Sequence, residues 1–285
     1  LNILLIGYGS IGKLHHKILS SFKKVNKVDV VTKQILENKT TYKNISYISN
    51  LNNYDYFIIA NETYKHFEIL KFIDKKVKEK IILVEKPLFK DYKKYKPNNK
   101  VVVAYNLRFH PIIHFLKKQN LIYLNAMVGQ DLRQWRDTKY TQNYSARKEF
   151  GGGVLRDLSH EIDYVQYLAG NITTLKSIKD KKSNLKIDVE DIVVATGKTT
   201  HSIINFSMDY ISKVPFRQII AHTKNKTYIC DLIQNKINGK TLKTIDKNYT
   251  YKKMHQDILN YNFKKACTYK EGIETMKIIK RVENE

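Results

Sequence analysis

Short apolar runs alternate with amphipathic stretches through the first 105 residues. Asn2–Ile6 reads as a buried strand, and Ile11–Phe22 follows at helical period. Val28–Val31 is a second strand, Ile45–Ile48 a weak third and Asp55–Ala60 a strong fourth. A helix runs through His66–Ile73, and the strands Lys80–Val84 and Val101–Ala104 complete the series. Strand and helix in alternation predict a parallel sheet with helices on both faces. The second half reads differently. Asn120–Gln130 is extended, and Val154–Ala169 is a helix with apolar residues at 154, 155, 158, 162, 165 and 168. Strands are then expected at Asp188–Thr196, His201–Asp209, Arg217–His222 and Thr227–Leu232, before a helical tail over Met254–Glu285. Long strands in succession predict an antiparallel or mixed sheet.

The 285 residues are 42% hydrophobic and 27% charged, a globular balance that suits one large domain or two ordinary ones. Two cysteines, Cys230 and Cys267, exclude a disulfide scaffold and a cysteine-rich zinc module, and no metal site is expected. No apolar run approaches the roughly 18 to 20 residues that span a bilayer. Leu1–Gly7 is too short and uncharged for a signal peptide, so the expectation is a cytoplasmic protein without a membrane partner. The net charge is +24, yet only seven of the 51 basic residues are Arg. Nucleic-acid readers lean on the bidentate contacts of Arg, so no nucleic-acid partner is expected. Residues 71–100 hold 11 Lys against four acids, a cluster read as solvated helix faces and loops in preference to a polyanion site. The surplus charge still draws in anionic ligands such as nucleotides.

Gly7-Tyr8-Gly9-Ser10-Ile11-Gly12 is G-x-G-x-x-G, placed after a strand and opening a helix. In that context Gly7 permits the tight turn, Gly9 lets a pyrophosphate approach and Gly12 lets helix and strand pack. The competing reading is a tight turn without a ligand. The second strand ends Val31-Thr32-Lys33, with Asp29 too early to grip a ribose hydroxyl. A hydroxyl and an ammonium at the tip favour NADP over NAD, unless Lys33 is one more solvated lysine. Glu85-Lys86-Pro87 follows the fifth strand, at the edge of a parallel sheet where ligands bind. Gly151-Gly152-Gly153 precedes a helix carrying Asp157, His160 and Asp163 at steps of three, within mutual reach on one helix. A carboxylate beside an imidazole orients it for proton transfer. Equally, the two acids are solvated or capping residues and the histidine a satisfied core group.

In this order the pieces resemble the Gfo/Idh/MocA family, the glucose–fructose oxidoreductases and inositol dehydrogenases. The matching residues are the glycine turn, Asn61 and His66 in ANETYKH, Glu85-Lys86-Pro87, Tyr105-Asn106-Leu107-Arg108-Phe109-His110-Pro111 and the glycine-led helix. Trp135-Arg136, Tyr144-Ser145-Ala146, Asp157–Asp163, Met208-Asp209-Tyr210 and Arg217 are similar to one subgroup, which hints at cell-surface sugar synthesis. The resemblance implies an α/β fold. A Rossmann doubly wound parallel sheet spans 1–108. A C-terminal α+β domain with a large open, mostly antiparallel sheet spans 109–285, and copies pair through that sheet as dimers or tetramers. It also implies a nicotinamide cofactor, NAD or NADP, held by residues 7–12, Thr32, Lys33, Asn61, His66, Glu85, Lys86 and Asn106.

The same resemblance carries the catalytic roles to Lys86 and His160. The role of Asp157 rests on a shorter spacing, since the family pattern is Asp-x-x-x-His and here two residues intervene. Tyr105, Arg108, Trp135, Arg136, Tyr144, Arg147 and His160 are expected on the substrate side. The implied reaction is hydride transfer between NAD(P) and a secondary alcohol or ketone of a sugar, sugar nucleotide or cyclitol. The alternative is a catalytically inactive dinucleotide sensor, although such a sensor needs neither Lys86 nor His160.

Overall fold

The first strand, β1 (Asn2–Ile6), is apolar on both faces, and Ile3, Leu4, Leu5 and Ile6 are all buried. Such runs belong inside a parallel sheet covered on both sides. The structure is a computed structural model that describes residues 1–135 and 139–285; Arg136, expected on the substrate side, lies outside the described residues. The elements that follow β1 are α1 (Ser10–Leu19), β2 (Lys27–Val31), β3 (Thr41–Tyr42), β4 (Tyr56–Ile59), α2 (His66–Lys76), β5 (Ile81–Val84) and β6 (Lys100–Val103). The next stretch holds α3 (Pro111–Leu116), β7 (Tyr123–Gly129), α4 (Val154–Asp157), α5 (His160–Ala169), β8 (Ile172–Asp180) and β9 (Ile192–Thr199). It continues through β10 (Ile203–Asp209), β11 (Phe216–His222), β12 (Thr227–Asp231), β13 (Lys236–Ile237) and β14 (Lys240–Thr241). The chain ends with α6 (Tyr249–Leu259), β15 (Cys267–Thr268) and α7 (Tyr269–Asn284).

Two compact units result. The first is Leu1–Asn106 with Tyr251–Ile273, and the second is Leu107–Thr250 with Glu274–Glu285. In the first unit the strand order is β15-β6-β5-β4-β1-β2-β3. All pairs are parallel except β15 with β6. Strands β1 to β6 thus take the doubly wound order 3-2-1-4-5-6, which reverses direction of travel at β1 and opens a crevice at the carboxyl edge. A division of the sequence at 108/109 leaves 251–273 with the later half; the pairing of Cys267 with Val103 brings it to the first unit instead.

In the second unit eight strands lie in the order β14-β13-β12-β11-β7-β10-β9-β8. The sheet is mixed, since β7 and β10 run parallel and the other pairs antiparallel. Alternation sets its two faces. Leu124, Ala126, Ile204, Phe206, Met208 and Ile219 are buried, while Val194, Ile203 and Ile229 are exposed. Helix α5 packs on β7 and β10. Each of the larger side chains, Ala126 aside, contributes about 1.5–3 kcal/mol when withdrawn from water.

Three expectations change, and one strand was not foreseen. The weak third strand at Ile45–Ile48 is a turn of 3₁₀ helix over Ile45–Tyr47, and the strand is Thr41–Tyr42. Asn44 causes this, because its side chain accepts from the Ser46 amide and offers the backbone a local partner in place of a ladder. The helix expected over Val154–Ala169 is two helices broken at Leu158 and Ser159, where Leu158 leaves helical dihedrals at φ −101°, ψ 22°. Strand β8 escaped the sequence reading because, on this edge strand, Leu175 is buried while Ile178 faces solvent, which leaves no apolar period. The tail is not one helix: Tyr261 takes a left-handed φ of 56°, and β15 separates α6 from α7.

Candidate functional site

The glycine turn occupies the crevice of the first sheet. Gly7 sits at φ +99°, and a Cβ there would stand 2.5 Å from the Ala60 carbonyl oxygen. A Cβ on Gly12 would overlap the Gly7 carbonyl oxygen. These two glycines serve the packing of β1, β4 and α1. Gly9 is different, because a Cβ built on it meets nothing within 4 Å. Gly9 is also the residue that precedes α1, whose first turn holds no acid and whose cap makes no side-chain hydrogen bond. Backbone amides and the positive end of the helix dipole therefore face a space suited to an anion. Tyr8, Ser10 and Ile11 complete the turn, and the Tyr8 ring meets His16 edge-on at 5.7 Å.

Within β2, short of its tip, Asp29 is engaged inside the unit by the Tyr54 hydroxyl at 2.6 Å and the Lys27 ammonium at 2.7 Å. No carboxylate takes its place at the tip. Thr32 is half-buried and Lys33 exposed. Gln34 ties this tip to the glycine turn, its side-chain amide donating to the Tyr8 carbonyl at 3.2 Å and its backbone amide to Thr32 Oγ1 at 3.2 Å.

The ends of β4 and β5 meet through His66. Its Nε2 faces the Asn61 carbonyl at 3.1 Å, and its Nδ1 faces the Pro87 and Leu88 carbonyls at 3.2 and 3.3 Å. Burial pulls the His66 pKa down. The histidine thereby ties the loop after β4 to the Glu85-Lys86-Pro87 turn, whose Lys86–Pro87 peptide is cis. Asn61 Oδ1 is buried with no hydrogen-bond partner among the described residues, an acceptor left open at the sheet edge. Glu85 is turned inward: Oε1 pairs with His15 Nε2 at 2.8 Å and Oε2 accepts from the Lys86 amide at 3.1 Å. Tyr105 and Asn106, just after β6, are both buried.

The second unit carries the remaining candidates. His160 opens α5 and is 7% exposed. Asp157 closes α4, and the break between the helices means that the two do not share one helical face. Asp157 Oδ2 accepts from the Tyr210 hydroxyl at 2.6 Å. Tyr210 also meets Trp135 edge-on at 5.6 Å, so it joins the acid to the aromatic candidate. Sequence reasoning saw Tyr210 only as part of the subgroup resemblance; its place just after β10 is the signal that it can reach α4. Arg108 is 2% exposed and grips Asp163 with Nη2 at 2.8 Å and Nε at 3.0 Å, over the Tyr167 ring. Its guanidinium is committed to the core of the unit. Tyr144 is half-buried and Arg147 exposed.

At two of the three glycines before α4 the missing side chain is used by the protein itself. Gly152 packs against the carbonyls of Tyr144, Ser145 and Arg147, and Gly153, at φ +109°, against the Glu190 carboxylate. That carboxylate accepts from the Leu155 amide at the start of α4. Burial raises its pKa, and the amide works in the opposite direction.

Two family models match the chain. One, described as GFO_IDH_MocA, oxidoreductase family, NAD-binding Rossmann fold, covers residues 1–110. The other, its C-terminal alpha/beta domain, covers residues 126–229. Among solved structures the chain is similar to a levoglucosan dehydrogenase in complex with NADH, with TM-score 0.85 and 16% identity over 100% of this chain and 96% of that one. It is similar to the WlbA dehydrogenase from Bordetella pertussis in complex with NADH and UDP-GlcNAcA, with TM-score 0.82 and 14% identity over 100% and 94%. It is also similar to a UDP-N-acetylglucosamine 3-dehydrogenase from Acidithiobacillus ferrooxidans, with TM-score 0.77 and 15% identity over 99% and 96%. No curated protein sequence matches it. No described helix is long and apolar enough to cross a membrane, and the described residues hold no metal-ligand cluster.

The turn fits a dinucleotide: the open space at Gly9, the uncapped amides of α1 and the open Asn61 acceptor are what a pyrophosphate and a ribose or amide donor require. Gly9→Val is expected to fold with unchanged melting temperature and to lose at least tenfold in NAD(H) affinity by calorimetry. Gly12→Ala, in contrast, is expected to lose about 2–3 kcal/mol of stability in chemical denaturation. Unchanged affinity in folded Gly9→Val removes the pyrophosphate from this turn.

Proposed function

The chain belongs to the Gfo/Idh/MocA family of oxidoreductases, and from that premise we propose that it moves a hydride between a nicotinamide and a secondary alcohol or ketone of a sugar, sugar nucleotide or cyclitol. The observation that carries this reading is the placement of Glu85-Lys86-Pro87 at the carboxyl edge of the sheet whose first turn cradles the nucleotide. The similarity to levoglucosan and UDP-N-acetylglucosamine dehydrogenases supports a sugar, free or nucleotide-linked, as the substrate class.

When bound, the nicotinamide supplies the hydride acceptor or donor. The residues of this chain do the rest. The amides of α1 hold the pyrophosphate, and Asn61 with Asn106 borders the nucleoside. Lys86 donates a hydrogen bond to the reacting oxygen and stabilises the negative charge that develops there. His160 takes the hydroxyl proton on oxidation and returns it on reduction. Asp157, held by Tyr210, is a positioning group for this end of α5. Tyr105, Trp135, Tyr144 and Arg147 line the substrate, with the aromatic faces suited to a sugar ring and the guanidinium to a phosphate. A screen of nucleotide-activated sugars and cyclitols for absorbance change at the reduced-nicotinamide band tests the reading. With the substrate found, Lys86→Met and His160→Ala are each expected to lower kcat/KM by about 10²-fold or more, roughly 2.7 kcal/mol, with cofactor affinity little changed. Near wild-type turnover in a folded His160→Ala protein returns His160 to a packing role.

Cofactor choice follows from the tip of β2. Asp29 is occupied within the unit, and Thr32 with the exposed Lys33 offers a hydroxyl and an ammonium to a 2′-phosphate. NADP(H) is expected to bind at least as tightly as NAD(H), and Lys33→Asp to shift preference toward NAD(H). Direct titration decides, and a wild type with strong preference for NAD(H) defeats the assignment.

Copies of the chain pair through the open face of the second sheet. Ile178, Val194, Ile203 and Ile229 are 75, 50, 51 and 56% exposed there, more apolar surface than a solvated sheet needs. Val194→Glu with Ile229→Glu is expected to reduce the mass measured by light scattering to that of one chain, and a wild-type monomer rejects the pairing.

A further inference from the structure

Behind the Glu85-Lys86-Pro87 turn runs a line of buried polar groups, three of which have no part in the roles above. His15 comes from α1, His255 from α6 and Tyr56 from β4, and they are 0, 0 and 1% exposed. His15 Nε2 lies 2.8 Å from Glu85 Oε1. His15 Nδ1 lies 2.7 Å from His255 Nε2, and His255 Nδ1 lies 3.2 Å from the Tyr56 hydroxyl. At the other end Glu85 Oε2 accepts from the Lys86 amide at 3.1 Å. All of these contacts lie within the first unit.

The chemistry of the groups gives the line a direction. A carboxylate only accepts, so His15 Nε2 donates to Glu85. With a single N–H on the His15 ring, its Nδ1 accepts and His255 Nε2 donates to it. His255 Nδ1 then accepts from the Tyr56 hydroxyl. In this arrangement every donor of the line meets an acceptor. Burial, with the neighbouring His15, holds the His255 pKa well below the usual histidine value. Burial and the nearby Glu85 hold the Tyr56 phenol well above its own. Both therefore stay neutral around pH 7, and each bond polarises the next.

We propose that His15, His255 and Tyr56 are positioning residues whose one-way hydrogen-bond line fixes the Glu85 carboxylate and, through its second oxygen, the backbone that carries Lys86. The arrangement makes the presentation of Lys86 depend on α6, which lies more than 150 residues further along the chain. This inference rests on the reading that Lys86 acts on the substrate oxygen, but its first two tests need no substrate.

Ring nitrogen NMR of the wild-type protein is expected to show the Nε2–H tautomer at both His15 and His255. A His15 ring protonated on both nitrogens at pH 7 overturns the proposal. Amide hydrogen exchange at Lys86 is expected to quicken about tenfold in His15→Leu, which removes the donor to Glu85. His15→Gln, whose side-chain amide still reaches Glu85, is expected to restore protection. Unchanged exchange in folded His15→Leu, or equally fast exchange in the Gln variant, also overturns it. In turnover, kcat is expected to fall about tenfold in His15→Leu and recover in His15→Gln, with cofactor affinity constant in both. A protein that meets the tautomer and exchange results yet oxidises no sugar rejects the dehydrogenase reading and leaves the line of bonds standing.

Discussion

A Cβ on Gly7 would come within 2.5 Å of the Ala60 carbonyl oxygen, and one on Gly12 would overlap the Gly7 carbonyl oxygen. Strands β1 and β4 and helix α1 thus converge only because side chains are missing at both positions. That convergence sets the rest of the nucleotide end. It aims the amides of α1 into the crevice where strand order reverses, and it leaves Gly9 facing open space. It places the ends of β2, β4 and β5 around one turn, so that Gln34 reaches Tyr8 from one side. From the other side Asn61 meets the ring of His66. The constraint is steric and local, which is why a six-residue motif reports it.

Buried charge shapes both units. Glu85 in the first unit, and Asp163 with Arg108 and Glu161 with Arg217 in the second, are taken out of water among hydrogen bonds. Burial pushes the Glu161 carboxyl pKa up while Arg217 draws it down. Ion pairs of this kind add little net stability, because desolvation offsets the attraction, but removing one partner leaves a costly lone charge. Their effect is on orientation. Arg108 and Arg217 fix the register of α5, and so of His160 at its start, against the chain entering the unit and against β11. Glu190 does the same for α4 by accepting at its first turn.

Glycines in the two units have different duties. At Gly9 the missing side chain leaves room for a ligand. At Gly152 and Gly153 it admits backbone carbonyls and the Glu190 carboxylate. The same letter in the sequence therefore stands for a binding surface in one place and a packing requirement in the other, and only the neighbours distinguish them.

The alternation of apolar runs and the glycine turn were enough to place β1, α1, β2, β4, β5 and β6, because these elements follow from periods within a few residues. The short β3, the edge strand β8 and the break at Leu158–Ser159 were not legible. Each depends on a cap, a sheet edge or a packing partner rather than on a hydrophobic period. Among the site residues, spacing drew attention to Asp157 and His160 and to the missing acid at the β2 tip, and position after a strand, with the family resemblance, to Lys86. It did not show that Tyr210 bonds Asp157, that Arg108 is consumed by Asp163, or that His255 closes a line of bonds to Glu85. Those pairs are 53, 55 and 240 residues apart along the chain, the last counted from His15 to His255. Local steric and periodic rules act over a few residues and are written in the sequence. A hydrogen bond between distant residues exists only once the strands and helices have been laid side by side, and so tertiary structure alone decides it.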